Sequence, residues 1–320
     1  MSESFPSITI GITAFNAAET LPRAIECALS QIWSNKQIII VDDCSTDDTP
    51  AIIKGYTSAH PSIRYFGQEH NKGVAAARNV ILKNATGDFI AFFDDDDFSR
   101  EDRLEKQYAR IVDYKLTDFV LCHSSRLQIY PDGTKRIEKT PGSNLQSVAP
   151  QGHSMFEKIL LGKPIQEGFG SLATCSLMLP RKVIERVGFY DENFRRCEDT
   201  DFTLRFALAG GHFLGIEETL VTQTMTSSSE KSLADEHKYH GLIYTKFESE
   251  LGKHKTGFAL GWLNLRYEFL YHNKIEFIKK FFLLLTKYPL LTLKKLIWAL
   301  PNIKFNFNFR KFHQGDTHDR

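Results

Sequence analysis

GDFIAFFDDDD, residues 87–97, joins an apolar run directly to four consecutive aspartates. The apolar part, Phe89–Phe93, has the length and aromatic content that predict a buried strand. The carboxylates of Asp94–Asp97 would repel one another unless a divalent cation neutralised part of their charge, and hard oxygen ligands suit Mg²⁺ or Mn²⁺. Such a cation commonly accompanies a phosphate. The alternative for an acidic run of this kind is a solvated turn that binds nothing.

The residues before this stretch repeat one unit, a short apolar strand followed by a polar loop and a helix. In the first unit, Ser7–Ile12 leads into the loop Thr13–Asn16, and in the second, Gln37–Val41 leads into Asp42–Ser45. The predicted elements are strands at 7–12, 37–41, 63–66 and 88–93 and helices at 19–31, 49–59 and 73–84. This alternation is typical of an α/β fold with a mainly parallel central sheet flanked by helices. Ligands of such sheets bind at the carboxyl ends of the strands, where both aspartate clusters lie.

The rest of the chain carries weaker patterns. The predicted elements are strands at 117–130 and 172–179, a turn at 131–133 between apolar runs, and helices at 239–251 and 258–271. Residues 140–170 are rich in loop-forming residues, with several glycines and prolines, and we expect mobile elements there. From about residue 231 onward the pattern is helical.

Composition excludes several classes of protein. The 320 residues include 40 basic and 39 acidic side chains, so no electrostatic case exists for a nucleic-acid partner. The five cysteines are widely spaced and form no C-x-x-C pair, which favours a reducing, cytoplasmic compartment and argues against a zinc site. The first 20 residues lack the pattern of a secretory signal.

The segment Lys274–Leu300 carries two apolar stripes flanked by lysines, and the lysines interrupt any run long enough to span a membrane. One stripe consists of Ile278, Phe281, Phe282 and Leu285, and the other of Leu293, Leu296, Ile297 and Leu300. A basic amphipathic helix pair of this kind can lie in a membrane interface, or it can pack on the rest of the protein. In the first case, residues 274–300 would make a peripheral contact with the cytoplasmic face of the inner membrane. The sequence leaves both alternatives open.

The order and spacing of motifs between residues 7 and 215 resemble those of the family 2 glycosyltransferases, which have the nucleotide-diphosphosugar transferase (GT-A) fold. The motifs are ITIGITAFN at 8–16, Gln31, IIIVDDCSTDDT at 38–49, NKG at 71–73, ARN at 77–79, GDFIAFFDDDD at 87–97, VGFYDENF at 187–194, Glu198-Asp199 and Arg205. The chain departs from the usual pattern in having Cys44 for a glycine, Gln37 for a glutamate and four aspartates for Asp-x-Asp-Asp. Because of the last departure, the sequence does not indicate which of the four aspartates would contact the metal and which would contact the ribose.

The resemblance implies an inverting, metal-dependent transferase of the hexosyl or N-acetylhexosaminyl class. Its donor would be a nucleoside-diphosphate sugar, with a UDP-sugar expected. Its acceptor would be a glycan or a lipid-linked glycan in lipopolysaccharide, capsule or exopolysaccharide synthesis. The expected domains are a catalytic domain at 1–230, with a nucleotide-binding half at about 1–100 and an acceptor-binding half at about 101–230, and a basic, amphipathic helical region at 231–320.

The resemblance also implies roles for individual residues. Asp96 is the expected first ligand of Mn²⁺ or Mg²⁺, with Asp97 beside it, and Asp199 is the expected general base, with Glu198 orienting the acceptor or the base. The expected nucleotide-sugar-binding residues are Thr13, Asn16, Asp43, Arg78, Asn79, Asp94 and Asp95.

Structural alternatives exist for several of these residues. Asp43 could cap the next helix together with Ser45. Arg78 and Asn79 could contact the diphosphate or could brace the neighbouring loops. Glu198 and Asp199 precede a helical pattern and could simply cap its N-terminus.

Two other functions are open to a chain with this pattern. A nucleotidyltransferase would need a glycine-rich loop with basic residues after the first strand, and Thr13–Asn16 provides none. A non-catalytic nucleotide-sugar-binding protein or membrane-associated scaffold would not need Asp43, Asp96 and Asp199 together. Transfer is therefore the leading hypothesis.

Overall fold

The computed structural model describes residues 5–168, 170–225, 232–271 and 273–299. The chain divides into two compact units. Unit 1 comprises Met1–Met155 and Ile165–Thr226, and unit 2 comprises Phe156–Pro164 and Ser227–Arg320. Within the described ranges, no helix combines the length and the apolarity needed to cross a bilayer.

Unit 1 contains a nine-stranded sheet. The strands are β1 (Ile8–Ala14), β2 (Lys36–Asp42), β3 (Ile63–Gly67), β4 (Phe89–Asp94), β5 (Phe98–Ser99), β6 (Val120–Ile129), β7 (Lys135–Glu138), β8 (Met178–Pro180) and β9 (His212–Thr224). Their order is β3-β2-β1-β4-β8-β6-β9-β5, with β7 paired to β6. The four strands predicted from the first 94 residues are β1 to β4, and all of their mutual pairings are parallel.

Beyond β4 the sheet is mixed. Strand β8 pairs antiparallel to both β4 and β6, while β6 and β9 pair parallel over most of their length. The short strands β5 and β7 pair antiparallel to β9 and β6. The parallel pattern expected from the sequence therefore extends through β1–β4 and again through β6 and β9.

The helices that connect these strands are α1 (Leu21–Leu29), α2 (Thr49–Ala59), α3 (Val74–Asn84), α4 (Arg103–Asp113), α5 (Gly152–Leu161), α6 (Val183–Val187) and α7 (Glu198–Leu208). Small side chains let α3 approach the sheet closely, since Ala75, Ala76 and Ala77 are all buried. The contact is tight enough that a Cβ added at Gly11 on β1 would lie 2.5 Å from the Ile81 side chain. This packing places α3 against β1 and β2.

One expectation for the middle of the chain is wrong. Residues 172–179 do not form one strand, because a 3₁₀ turn at Thr174–Ser176 precedes the three-residue β8. The turn is stabilised by side chains: the Gln107 amide donates to the Ser176 carbonyl at 2.9 Å. The loop-rich stretch 140–170 also includes α5, whose Met155 and Phe156 are buried.

Gly142 lies in a turn that only glycine can occupy. Its φ is +76°, and an added Cβ would overlap the carbonyl group of Phe213. Gly133 has a similar φ of +79° but open space around it. We expect Gly133→Ala to cost about 1–2 kcal/mol of unfolding free energy from backbone strain alone, and Gly142→Ala to cost clearly more because β9 must also shift. Urea denaturation followed by circular dichroism measures both, and equal losses would contradict this account of Gly142.

Unit 2 is helical in its described part. Its helices after α5 are α8 (Leu233–Lys246), α9 (Glu248–Leu251), α10 (Lys253–Leu270), α11 (Lys274–Lys287) and α12 (Pro289–Ala299). The single helix expected at 239–251 is instead two helices that meet at Phe247. The expected stripe residue Leu300 lies outside the described residues. Buried Tyr239, Ile243 and Phe258 contribute to the core of this unit.

Candidate active site

Three adjacent parallel strands end side by side at one edge of the sheet in unit 1. Thr13 on β1 is in register with Val41 on β2 and with Asp94 on β4. The loops that follow these strands therefore begin within one strand spacing of one another. This is the edge at which a ligand of a parallel sheet is expected.

Asn16 connects the loops that follow β1 and β2. Its backbone adopts the left-handed conformation, with a φ of +48°. Its N–H donates to the Ser45 hydroxyl at 2.8 Å, and its side-chain oxygen accepts from the Thr46 N–H at 2.8 Å. Asn16, which was expected to bind the nucleotide, thus connects two loops of the site. Its side-chain oxygen already accepts a hydrogen bond within the protein.

Asp43, the first residue after β2, is buried and binds a third loop. Its carboxylate accepts from the backbone N–H groups of Lys72 at 2.8 Å and Gly73 at 2.7 Å, and from the Gln68 amide at 2.7 Å. Burial raises the pKa of Asp43, and the two backbone donors oppose that rise. Asp43 does not cap α2; it lies against the residues that lead into α3.

The same loop is tied to the segment before α7. The Arg195 guanidinium donates to the side-chain oxygen of Asn71 at 3.2 Å and to its carbonyl at 3.1 Å. Arg195 also lowers the pKa of Asp43 through its charge, although burial dominates that pKa. Through residues 71–73, the end of β2 is linked to the start of α7.

Arg78 links the end of β4 to the start of α7 directly. It is buried on α3, with Nη1 at 2.5 Å from Oε1 of Glu198 and Nη2 at 3.6 Å from Oδ1 of Asp94. Burial alone would lower the pKa of the guanidinium, but the carboxylates of Glu198, Asp94 and Asp199 outweigh it and raise the pKa above its usual value. Arg78 therefore stays charged and joins two acidic segments that are far apart in the sequence.

Asn79 braces a neighbouring loop. Its amide nitrogen donates to the Tyr190 carbonyl at 2.9 Å and to Glu192 at 2.8 Å, and its oxygen accepts from the Tyr190 N–H at 2.9 Å. These contacts hold the VGFYDENF segment against α3. The side chain of Asn79 is buried and its polar atoms are engaged with that loop.

Glu198 and Asp199 are the first two residues of α7, as the sequence predicts. Burial raises the pKa of Glu198, with Arg78 acting in the opposite direction. The Asp199 carboxylate accepts from the Thr200 N–H at 2.6 Å and from the Thr200 hydroxyl at 3.3 Å. Both acidic groups thus lie at a helix N-terminus, where partial positive charge favours them.

Within the acidic run, Asp95 and Asp96 contact the first loop and helix. The Phe15 N–H donates to Asp95 at 3.4 Å, and the Arg23 side chain donates to the backbone carbonyl of Asp96. Burial, with the charges of Asp96 and Asp94, raises the pKa of Asp95 to about 7. These contacts place the acidic run beside the β1 loop.

Asp97 is the most confined member of the run. Only 3% of it is exposed, and among the described residues no group makes a hydrogen bond of good geometry to either carboxylate oxygen, although the Cys175 thiol lies close enough to oppose the rise in its pKa. Burial and the charges of Asp94 and Asp96 raise its pKa to about 8. Ligand atoms of Asp94, Asp97 and Cys175 lie within 4.8 Å of one another. A buried carboxylate without a partner next to a second carboxylate fits a divalent cation, because the cation would compensate both charges.

The structure adds residues that the sequence does not indicate. Cys175 approaches the acidic run from the 3₁₀ turn before β8, and Arg195 reaches back to Asn71. Buried Tyr190 lies under the Arg78 guanidinium, 5.6 Å from it. Cys175 and Arg195 belong to no motif, and Tyr190 lies in the VGFYDENF motif without an expected role, so only the three-dimensional contacts show what these residues touch.

Comparisons with known proteins show what this chain is similar to. The model of the family "Glycosyl transferase family 2" matches residues 9–185. A putative glycosyltransferase, EpsE, of Bacillus subtilis is 44% identical over 221 residues, which are 68% of this chain and 72% of that protein. The succinoglycan biosynthesis protein ExoO of Rhizobium meliloti is 38% identical over 108 residues, 34% of this chain and only 30% of that protein.

Among solved structures, residues 1–349 of TarS from S. aureus, in complex with UDP-GlcNAc, superpose with a TM-score of 0.61 at 17% identity. The match covers 96% of this chain and 90% of that chain. It confirms the expected GT-A α/β fold. The family match over more than half of the residues, together with the similarity to EpsE, establishes that this chain belongs to glycosyl transferase family 2.

Proposed function

We propose that this protein is an inverting, metal-dependent glycosyltransferase. It moves a sugar from a nucleoside-diphosphate sugar to a hydroxyl of a glycan or lipid-linked glycan during synthesis of a bacterial surface polysaccharide. The observation that carries the proposal is the contact of Arg78 with both Asp94 and Glu198. This contact brings donor-side carboxylates at a strand end next to the acidic pair at the start of α7.

The donor and the acceptor class are supported by the relatives. The TarS structures contain UDP-GlcNAc or UDP, which supports a UDP-sugar here. The names of ExoO and of the putative teichuronic acid biosynthesis glycosyltransferase TuaG of Bacillus subtilis support polysaccharide synthesis. The widely spaced cysteines suit a reducing compartment, so we place the reaction in the cytoplasm.

On the donor side, the carboxylates of Asp97, Asp94 and Asp96 would hold Mn²⁺ or Mg²⁺, which stabilises negative charge on a departing diphosphate. Asp43 fixes the loop 71–73 against the ends of β1 and β2. Thr13 lies at the end of β1 and Asp95 in the acidic run beside it, and both would line the nucleotide pocket. Asn16 and Asn79 support this pocket through the loops that they brace.

On the acceptor side, Asp199 would accept the proton of the attacking hydroxyl. The acceptor oxygen then bonds to the anomeric carbon, the bond from that carbon to the diphosphate oxygen breaks, and the configuration inverts in one displacement. Glu198, held by Arg78, would orient Asp199 or the acceptor. No protein nucleophile is needed.

If Asp97 helps to hold a cation, Asp97→Asn should change both the stability of the protein and its response to Mn²⁺. We expect the metal-free variant to be more stable than the wild type at neutral pH by about 1–3 kcal/mol. With its pKa raised to about 8, Asp97 must take up a proton when the metal-free chain folds, and asparagine removes that cost. We also expect the increase in melting temperature that Mn²⁺ gives the wild type to disappear. Thermal melts with EDTA and with Mn²⁺ measure both effects, and Asp113→Asn, an exposed residue at the end of α4, is the control. A destabilised variant that retains the Mn²⁺ effect would contradict the assignment.

A screen of nucleoside-diphosphate sugars by thermal shift in the presence of Mn²⁺ tests the function itself. A matched donor should raise the melting temperature more than the others, since stabilisation grows with ligand concentration relative to Kd. The matched donor should then be consumed with an acceptor, and NMR of the product should show an inverted anomeric configuration. Failure of every donor to bind, or retention of configuration, would overturn the proposal.

A further inference from the structure

Helices α11 and α12 each present an apolar stripe to solvent. The stripe on α11 consists of Ile275, Ile278 and Phe282, and that on α12 consists of Leu290, Leu293 and Ile297, each at i, i+3 and i+7 spacing. These six side chains are between 51% and 72% exposed. We call them the two-helix apolar face. Scattered exposed apolar residues are ordinary, but two matched helical stripes on consecutive helices indicate an interaction surface.

The opposite sides of the two helices are buried within unit 2. The exposed face therefore does not result from incomplete packing of that unit. Leu284, Tyr288 and Thr292 are buried. The Thr292 hydroxyl is within hydrogen-bonding distance of the Leu284 and Tyr288 carbonyls at 3.2 and 2.8 Å, which fixes the turn between α11 and α12. A Cβ added at Gly261 on α10 would lie 2.5 Å from the Leu284 side chain, so α10 and α11 are in close contact.

The positive charge around this face indicates which kind of partner can bind it. Residues 274–299 contain six lysines and one glutamate. Lys279 pairs with Glu276, Lys280 pairs with Glu268 on α10, and Lys295 donates to the Leu161 carbonyl, so the other three lysines supply the positive charge that faces solvent. Lys274, Lys287 and Lys294 are exposed beside the stripes. A second copy of the same face would meet this charge with its own. An anionic lipid surface complements both the charge and the apolar stripes.

We propose that the two-helix apolar face docks on an anionic phospholipid bilayer, with α11 and α12 lying in the interface. The apolar stripes insert at the level of the lipid headgroups, and the lysines contact the negative headgroups. The face does not use any residue of the candidate active site. A result that contradicts membrane docking would therefore leave the proposed transfer reaction unaffected.

The test is co-sedimentation of the full-length protein with phosphatidylcholine vesicles that contain or lack phosphatidylglycerol. We expect binding to the anionic vesicles and at least tenfold weaker binding to the neutral ones. Phe282→Ser/Leu293→Ser should weaken anionic-vesicle binding at least tenfold, because each change removes an inserting apolar side chain. Lys287→Gln/Lys294→Gln should also weaken it, by roughly fivefold for each positive charge lost.

The control variant is Leu116→Ser/Leu145→Ser, which replaces two exposed leucines of unit 1 and should bind vesicles like the wild type. All variants should melt at the wild-type temperature and show the wild-type thermal shift with the matched donor. Equal binding to both kinds of vesicle, or wild-type binding by Phe282→Ser/Leu293→Ser, would overturn the proposal. A dimer in sedimentation velocity that these serines dissociate would assign the face to a second copy and overturn it as well.

Discussion

Asp199→Asn is expected to lower kcat by about 10²–10⁴-fold while leaving the fold and the donor affinity close to those of the wild type. Asparagine keeps the shape of the side chain and an oxygen that can accept from the Thr200 N–H and hydroxyl, as Asp199 does. It cannot take the proton of the acceptor hydroxyl. The loss should therefore appear in turnover rather than in donor binding.

Steady-state kinetics with the matched donor, together with donor thermal shifts, separate these two effects. Asp191→Asn is the matched control, because Asp191 lies in the turn before α7 and accepts from the Asn193 N–H at 3.0 Å. This change preserves the acceptor and should leave kcat unchanged. Wild-type turnover in Asp199→Asn would remove Asp199 as the base, and an equal loss in Asp191→Asn would indicate a structural effect on the segment.

Arg78→Met should destabilise the protein by about 3–5 kcal/mol, the largest loss of stability we expect from a single change in the site. The methionine preserves much of the apolar packing, but it leaves Glu198 and Asp94 without their shared cation. The Glu198 side chain is only 11% exposed, so water can compensate little of its charge. Urea denaturation monitored by circular dichroism gives the loss from the shift in midpoint at constant slope.

A double-mutant cycle shows whether the loss of stability in Arg78→Met arises from the unpaired carboxylate of Glu198. Arg78→Met/Glu198→Gln should recover a large part of the stability, since removing both members of a buried pair costs much less than removing one. Lys279→Met, which breaks the exposed Lys279–Glu276 pair on α11, should leave the midpoint near that of the wild type. An Arg78→Met variant as stable as the wild type would contradict the role of Arg78 as a link between β4 and α7.

The sequence predicts the first part of the fold well because its strands are continuous apolar runs. Strands β1, β2 and β4 are nearly wholly buried, and each is followed by a polar loop, so their pattern is unambiguous. Strands β5 and β8 have two and three residues, too few for any periodicity to appear. They exist because longer neighbouring strands offer them backbone partners, which a local pattern does not reveal.

The candidate site, like the fold, could be predicted from the sequence only in part. The ends of β2 and β4 and the start of α7 can be predicted as acidic positions, because strand ends and helix starts are visible in the sequence. Which side chains join them cannot be predicted this way. Arg78 could have contacted a diphosphate or braced a loop, and its position between Asp94 and Glu198 depends on a contact across 120 residues. Cys175 is similarly brought to Asp97 only by the folding of the 3₁₀ turn.

Isothermal titration with the nucleoside diphosphate of the matched donor, UDP in the first instance, tests the central claim most directly. The claim is that the acidic residues at the ends of β2 and β4 build one nucleotide site with a cation. We predict one binding site per chain in the presence of Mn²⁺, and at least tenfold weaker binding with EDTA or in Asp97→Asn. Equal affinity in all three conditions, or no binding of any nucleoside diphosphate by the wild type, would contradict the account.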